Sequence, residues 1–195
     1  MAFSLQITGD GFARFERAVE ALGSEAKARS AFRKIINRQG ALLRKDAVAI
    51  LPGQTGLKKA TIQRALGKPV RASGHALRYI LTTRGGFISY KYFDARETRQ
   101  GVFAKPRGVN TFLPRHFTQG GLFPNRVGLG LGGHVFKAVG GSNAWGRKIS
   151  KAKSDVRIPE EMVRSDMKRA YERNAKALPP AVHAEIKRLT DGAVT

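Results

Sequence analysis

Residues 25–51 read EAKARSAFRKIINRQGALLRKDAVAIL, and their spacing decides the first half of the fold. Ile36, Leu43 and Ile50 stand seven apart, Ile35, Leu42 and Ala49 run beside them, and Phe32 extends the stripe. Apolar residues at such spacings line one side of an α-helix. Arg33, Lys34, Arg38, Arg44 and Lys45 fall on the other side. The stretch is predicted as a long amphipathic helix, apolar on one face and strongly basic on the other, ended by Pro52-Gly53.

On its N-terminal side, Phe12, Phe15, Val19 and Leu22 recur at spacings of three and four and predict a short helix over 11–22. Asp10 suits its cap and Gly23 its stop. On its C-terminal side, Thr55-Gly56 reads as the start of a third helix over 56–66, closed by Gly67 and Pro69.

The period then changes. Ala76–Thr83 alternates, Gly85-Gly86 reads as a turn, and Phe87–Phe93 alternates again. Two alternating runs joined by glycines predict a β-hairpin. Gly101–Lys105 and residues 134–139 are two further strand candidates. Between them lies Gly108–Gly133, a long loop rich in glycine and proline, of the kind that usually carries function. Residues 140–155 form a second loop that is basic. Pro159 suits a first helical position, with Glu160 and Glu161 at the positive end of that helix. The helix is expected to stop at Pro179-Pro180 and resume over 181–189.

Helices, then a small antiparallel sheet, then helices predict an α+β chain of one domain over 1–195. Its parts are a helical portion (1–66), a sheet portion (67–140, with the loop 108–133), a basic loop (141–158) and C-terminal helices (159–190).

Charge supplies the functional signal. The chain has 36 Lys and Arg against 14 Asp and Glu, a net of +22. Residues 1–25 carry −2 and residues 155–195 carry +1, while residues 26–154 carry +23. From Thr98 to Ser154 there is no acidic residue. Such a field repels itself unless an anion lies near, and nucleic acid is the commonest such partner. The other readings are a solvated basic surface or a complement to an acidic protein. A membrane surface fits less well, because the charge is spread and not gathered on one amphipathic helix. No apolar run reaches the length of a membrane span. The first residues lack a signal peptide's pattern.

Chemistry is thinly represented. The absence of cysteine removes disulfides, thiolate metal sites and thiol catalysis. His75, His116, His134 and His183 lack metal-site spacing. Glu160 and Glu161 are adjacent and point in different directions on a helix. Asp94 and Glu97 read as salt-bridge partners of Arg96 or Arg99. Gly128–Gly133 lacks the following helix and Lys-Ser or Lys-Thr of a phosphate loop. Trp145 reads as a loop anchor in a subunit interface, with base stacking as the alternative. No catalytic residue, metal or cofactor is expected, and a DNA-cleaving enzyme would want a cluster of acids to hold magnesium, against which the acid-free middle argues.

Several segments, in order, carry a resemblance: Lys91-Tyr-Phe-Asp-Ala-Arg96, Gly101-Val-Phe-Ala-Lys105, Pro114-Arg-His-Phe117, His134-Val-Phe-Lys137, Arg147-Lys-Ile149 and Val156-Arg-Ile-Pro-Glu160. With Ala31–Arg38 and Thr55–Lys58, the chain resembles the minor tail protein Z family of tailed bacteriophages, the tail completion proteins. It departs from the family pattern in the glycine-rich insertion Gly120–Gly133 and in His116. The resemblance implies a structural virion protein of the neck or upper tail, made in the bacterial cytoplasm. It further implies a ring of copies, commonly six, that meets tail terminator or tail tube proteins and head–tail connector proteins. Viral genomic DNA would pass through it. Candidate contacts to DNA or an acidic partner are Arg107, Arg115, Arg126, Arg147, Lys148, Lys151 and Lys153. Candidate inter-subunit contacts are Phe123, Leu129, Leu131 and Trp145. The competing reading is a freestanding, sequence-nonspecific nucleic-acid-binding protein.

Overall fold

A computed structural model describes residues 2–6, 19–20, 23–143 and 146–189. The predicted helix 11–22 falls almost wholly outside these residues.

The fold is α+β, as expected. Helix α1 (Glu25–Thr55) is its spine. Its buried stripe is Ala28, Phe32, Ile35, Ile36, Leu43, Ala47, Val48 and Leu51. Of the expected apolar positions, Leu42 and Ala49 are exposed and Ile50 is half-buried. A helix turns every 3.6 residues, so a strict seven-residue row drifts off the buried side. Gly40 lies in this stripe because Tyr79 needs its place: a Cβ there would stand 2.2 Å from the Tyr79 ring. The Asn37 carboxamide donates to Ala72 O (3.1 Å) and accepts from Ala72 N (2.8 Å), tying the helix to the following segment.

α1 does not end at Pro52-Gly53. It continues to Thr55, and Gly56 closes it in a left-handed conformation, its N–H donating to Pro52 O. Proline removes one N–H donor but leaves its own carbonyl free for such a bond. The Thr55 hydroxyl, wholly buried, donates to Leu51 O and accepts from Leu57 N. Thr55-Gly56 is thus a helix end, and the next helix, α2, spans only Lys59–Ala65.

Strand β1 (Ala2–Gln6) pairs antiparallel with β2 (Ile80–Arg84) in the register Ser4↔Thr82. The expected hairpin between 76–83 and 87–93 is therefore absent. Ile88 instead donates to Val156 O and accepts from Ser154 N, and Tyr90–Tyr92 forms a single 3-10 turn that buries Phe93. The backbone of 87–89 was claimed by a segment more than sixty residues away.

The remaining strands are β3 (Arg96–Thr98), β4 (Gly101–Ala104), β5 (Thr111–Pro114), β6 (His116–Phe117), β7 (Gln119–Gly120), β8 (Val127–Gly128), β9 (Phe136–Asn143) and β10 (Gly146–Lys151). They form sheets ordered β3-β4-β5 and β10-β9-β6, and a β7-β8 pair, all antiparallel. The expected strand over Gly101–Lys105 is present, and that over 134–139 is shifted to 136–143. The long loop 108–133 is folded into four short strands. The basic loop is largely the hairpin β9–β10.

Helix α3 (Ile158–Glu161) carries Pro159 in its first turn, as expected, but the single helix expected from there to Pro179 is broken before Ser165, whose φ of +48° is left-handed. Helix α4 (Ser165–Leu189) runs through Pro179-Pro180 without stopping. Each proline lacks a donor, but burial of Met167 and Ala170 before the pair and of Val182 and Ile186 after it holds both halves against α1. The main core joins α1, α2, α3, α4, β2 and Phe93. A separate small cluster, Val102, Val135 and Ala152, sits beneath the hairpin.

Candidate functional site

The site is the basic hairpin and the sheet that roots it. At the root, Ala152 N donates to Val135 O, Ser89 bridges Lys153, and β6 pairs with β9 only at Phe117↔Phe136 and His116↔Lys137. Val135 is wholly buried and Ala152 nearly so. Beyond Lys137, β10 is the only strand paired with β9 among the described residues. Lys137, Ala138, Val139, Gly140, Lys148, Ile149, Ser150 and Lys151 are all exposed. Over these described positions the hairpin is a two-stranded ribbon with its side chains exposed.

Side chains alternate across it. Lys137 lies opposite Ser150 on one face, and Phe136 lies opposite Lys151 on the other with Ala138 and Ile149. The register shifts between Arg147 and Ile149, where β9 carries extra residues opposite Lys148. Gly140, with φ at +77°, sits in that bulge, a conformation a side chain would oppose.

The candidate cations divide into two groups. Arg107 binds Asp155 and, at 2.8 Å, the buried Glu161, whose Oε2 also accepts from Gln54. Bonds to Glu161 and then Asp155 hold its guanidinium pKa above the usual arginine value. Arg126 binds Glu97 and the carbonyls of Gly121 and Gln119. Glu97 in turn accepts from Thr118 N (2.9 Å), the Thr118 hydroxyl (2.7 Å) and Gln119 N (3.0 Å). These two arginines hold the chain to itself. By contrast Arg115, Lys148, Lys151 and Lys153 are exposed, and among the described residues no carboxylate pairs with them. The Arg147 side chain lies outside the described residues, as does Trp145.

Asp94 and Glu97 do form ion pairs, but not with Arg96 or Arg99. Asp94 pairs with Lys58 at 3.3 Å and Glu97 with Arg126. Glu97 faces the 118–126 segment, whereas its neighbour Arg96 points to the opposite side of β3, as strand geometry requires. Glu160 and Glu161 diverge as expected, toward Arg157 and Arg107.

Of the apolar candidates, Phe123 and Leu131 are about half exposed, and Leu129 packs over Gly120. Sequence reasoning missed a further apolar pair. Phe103 and Phe112 stand directly across from each other on the exposed face of β4 and β5, ring centroids 4.8 Å apart. The alternation of Gly101–Lys105 carried that signal.

His134 anchors the start of β9. Its Nδ1 lies 2.8 Å from the Ser89 hydroxyl, and its ring packs edge-on to Tyr92 and Phe136. Burial, then Lys91 and Lys151, push its pKa below the usual histidine value. This pair ties two loops together. Among the described residues, no group of three or more His, Asp or Glu gathers to hold a metal ion, and no helix is long and apolar enough to cross a membrane.

No family model, no curated protein and no solved structure matches the chain.

Proposed function

We propose that this chain is a non-enzymatic structural protein of a tailed-phage virion that completes the tail and joins it to the head. Copies of it, six in the simplest arrangement, surround the DNA path. Cyclic symmetry brings the same patch of every copy to one lumen. The tail terminator or tail tube lies on one side and the head–tail connector on the other. The observation that carries this reading is the ribbon β9–β10: a rooted arm with unpaired lysines, in a stretch without acids from Thr98 to Ser154. A lone two-stranded ribbon is marginal in water, so a partner is expected to complete it. Arg115, Arg147, Lys148, Lys151 and Lys153 are assigned to that partner, and Phe123, Leu131 and Trp145 to contacts between copies.

The test is a gold-labelled copy of the chain in intact particles. Label at the neck supports the reading. Label absent from purified particles, with infectivity intact when the gene is removed, overturns it. The same unpaired lysines also favour a freestanding nucleic-acid-binding protein. That alternative requires tight binding by the isolated monomer and no incorporation into particles.

A further inference from the structure

We infer that β9–β10 binds duplex DNA by entering its major groove as a two-stranded ribbon. The inference deepens the reading above, and rests on it only in taking DNA to be near.

Shape comes first. The major groove is about 12 Å wide and about 8.5 Å deep and admits a two-stranded β-ribbon. Past Lys137, the side chains of 138–140 and 148–151 are exposed, and among the described residues no strand pairs with either outer edge of β9–β10. Opposite Ala138–Asn143, with its bulge, β10 uses the four residues Gly146–Ile149, about 13 Å at strand rise. The exposed residues near the middle are Ala138, Val139, Gly140, Ile149 and Ser150, none of them aromatic, and Val139 and Ile149 offer the apolar contact that a thymine methyl accepts in that groove.

Charge selects the partner. Lys137 lies on one face and Lys151 on the other. Lys148 alternates with Ile149 and so sides with Lys137. A flat acidic protein surface meets one face of a ribbon and leaves the other cation unmatched. A groove has phosphates on both walls and matches both. The rigid root at Val135, Ala152 and the Ser89–Lys153 bridge fixes how the arm leaves the body.

Lysines on a free strand edge have another use, which is to prevent edge-to-edge association. The two roles separate experimentally. The probe is a short mixed-sequence duplex, titrated by fluorescence anisotropy with the full purified chain at several salt concentrations. Each phosphate contact contributes about 0.9 to the slope of log affinity against log salt. The triple variant Lys137→Gln, Lys148→Gln, Lys151→Gln is therefore expected to lose about 2.7 of that slope. Between about 50 and 200 mM salt, wild-type affinity then falls about 40-fold more than the variant's. A control triple on α1, Lys34→Gln, Arg38→Gln, Lys45→Gln, is expected to leave the slope nearly unchanged. A duplex whose pyrimidines carry bulky groups at carbon 5, which project into the major groove, is expected to bind about tenfold more weakly.

Equal losses from both triples overturn the inference, as does equal binding to the substituted duplex. So does a ribbon triple that self-associates while binding DNA normally, or a wild-type chain that binds polyglutamate and not duplex. Any of these leaves the neck reading standing if the label still sits at the neck. Groove binding by a chain absent from particles does the reverse.

Discussion

Replacing Glu97 with alanine should unfasten one segment and leave the rest of the chain folded. The carboxylate gathers four donors from the segment 118–126: Thr118 N, the Thr118 hydroxyl, Gln119 N and the Arg126 guanidinium. Its side chain is 11% exposed and that of Arg126 is 18% exposed, so solvent screens the pair little. Removing one partner of such a pair costs about 3–5 kcal/mol, because the other charge is left without compensation. The segment has little else to hold it: Leu122, Phe123 and Val127 are exposed at 87%, 50% and 66%. It should therefore open instead of remaining docked with unmet donors. Three to five kcal/mol corresponds to a rise of about 100- to 4000-fold in its open population. Hydrogen exchange read by mass spectrometry checks this directly. Peptides covering 118–128 should lose protection by about that factor, while peptides of α1 and α4 stay within a few-fold of wild type. Unchanged exchange in 118–128 would refute the reasoning, and so would a uniform rise across the chain.

Two other outcomes follow from local geometry. Gly40→Ala should destabilise the chain by about 1–3 kcal/mol, because the added methyl meets the wholly packed Tyr79 ring and the cost of overpacking exceeds the helix propensity gained; denaturant titration reads the difference. For His134, the folded state favours the neutral ring, so the unfolded chain binds the proton more readily. Its contribution is complete above the ordinary histidine pKa near 6.5, falls as pH drops through that value, and levels off below the depressed folded pKa. Stability of the wild type measured against His134→Asn between pH 8 and pH 5 should converge toward the acid end, and a constant gap would contradict the assignment.

The fold class was legible because α1 announces itself through local spacing, and local spacing is all that a helix requires. Strand pairing is not local. The alternation in 76–83 and 87–93 is present in the sequence, but nothing near it says that β1 takes the partnership and that Ile88 joins the 154–156 segment. The prolines misled for a related reason. Pro52 and Pro179-Pro180 do remove donors, yet Leu51, Val182 and Ile186 are buried and keep those helices in place. In the candidate site, the run without acids pointed to Lys148, Lys151 and Lys153 from charge alone. That Arg107 and Arg126 are bound internally depended on Glu161 and Glu97, which lie 54 and 29 residues away in the chain. The exposed Phe103–Phe112 pair needed the register of β4 and β5 to become visible.

The way the two apolar clusters join has a mechanical consequence. The small cluster of Val102, Val135 and Ala152 shares Tyr90 and Ala95 with the helical core, and the chain leaving β10 reaches that core at Val156. A pull on the ribbon would therefore be spread over sheet and spine at once. The larger body, with Leu43, Leu51 and Met167 at its centre, serves as the ballast of the arm.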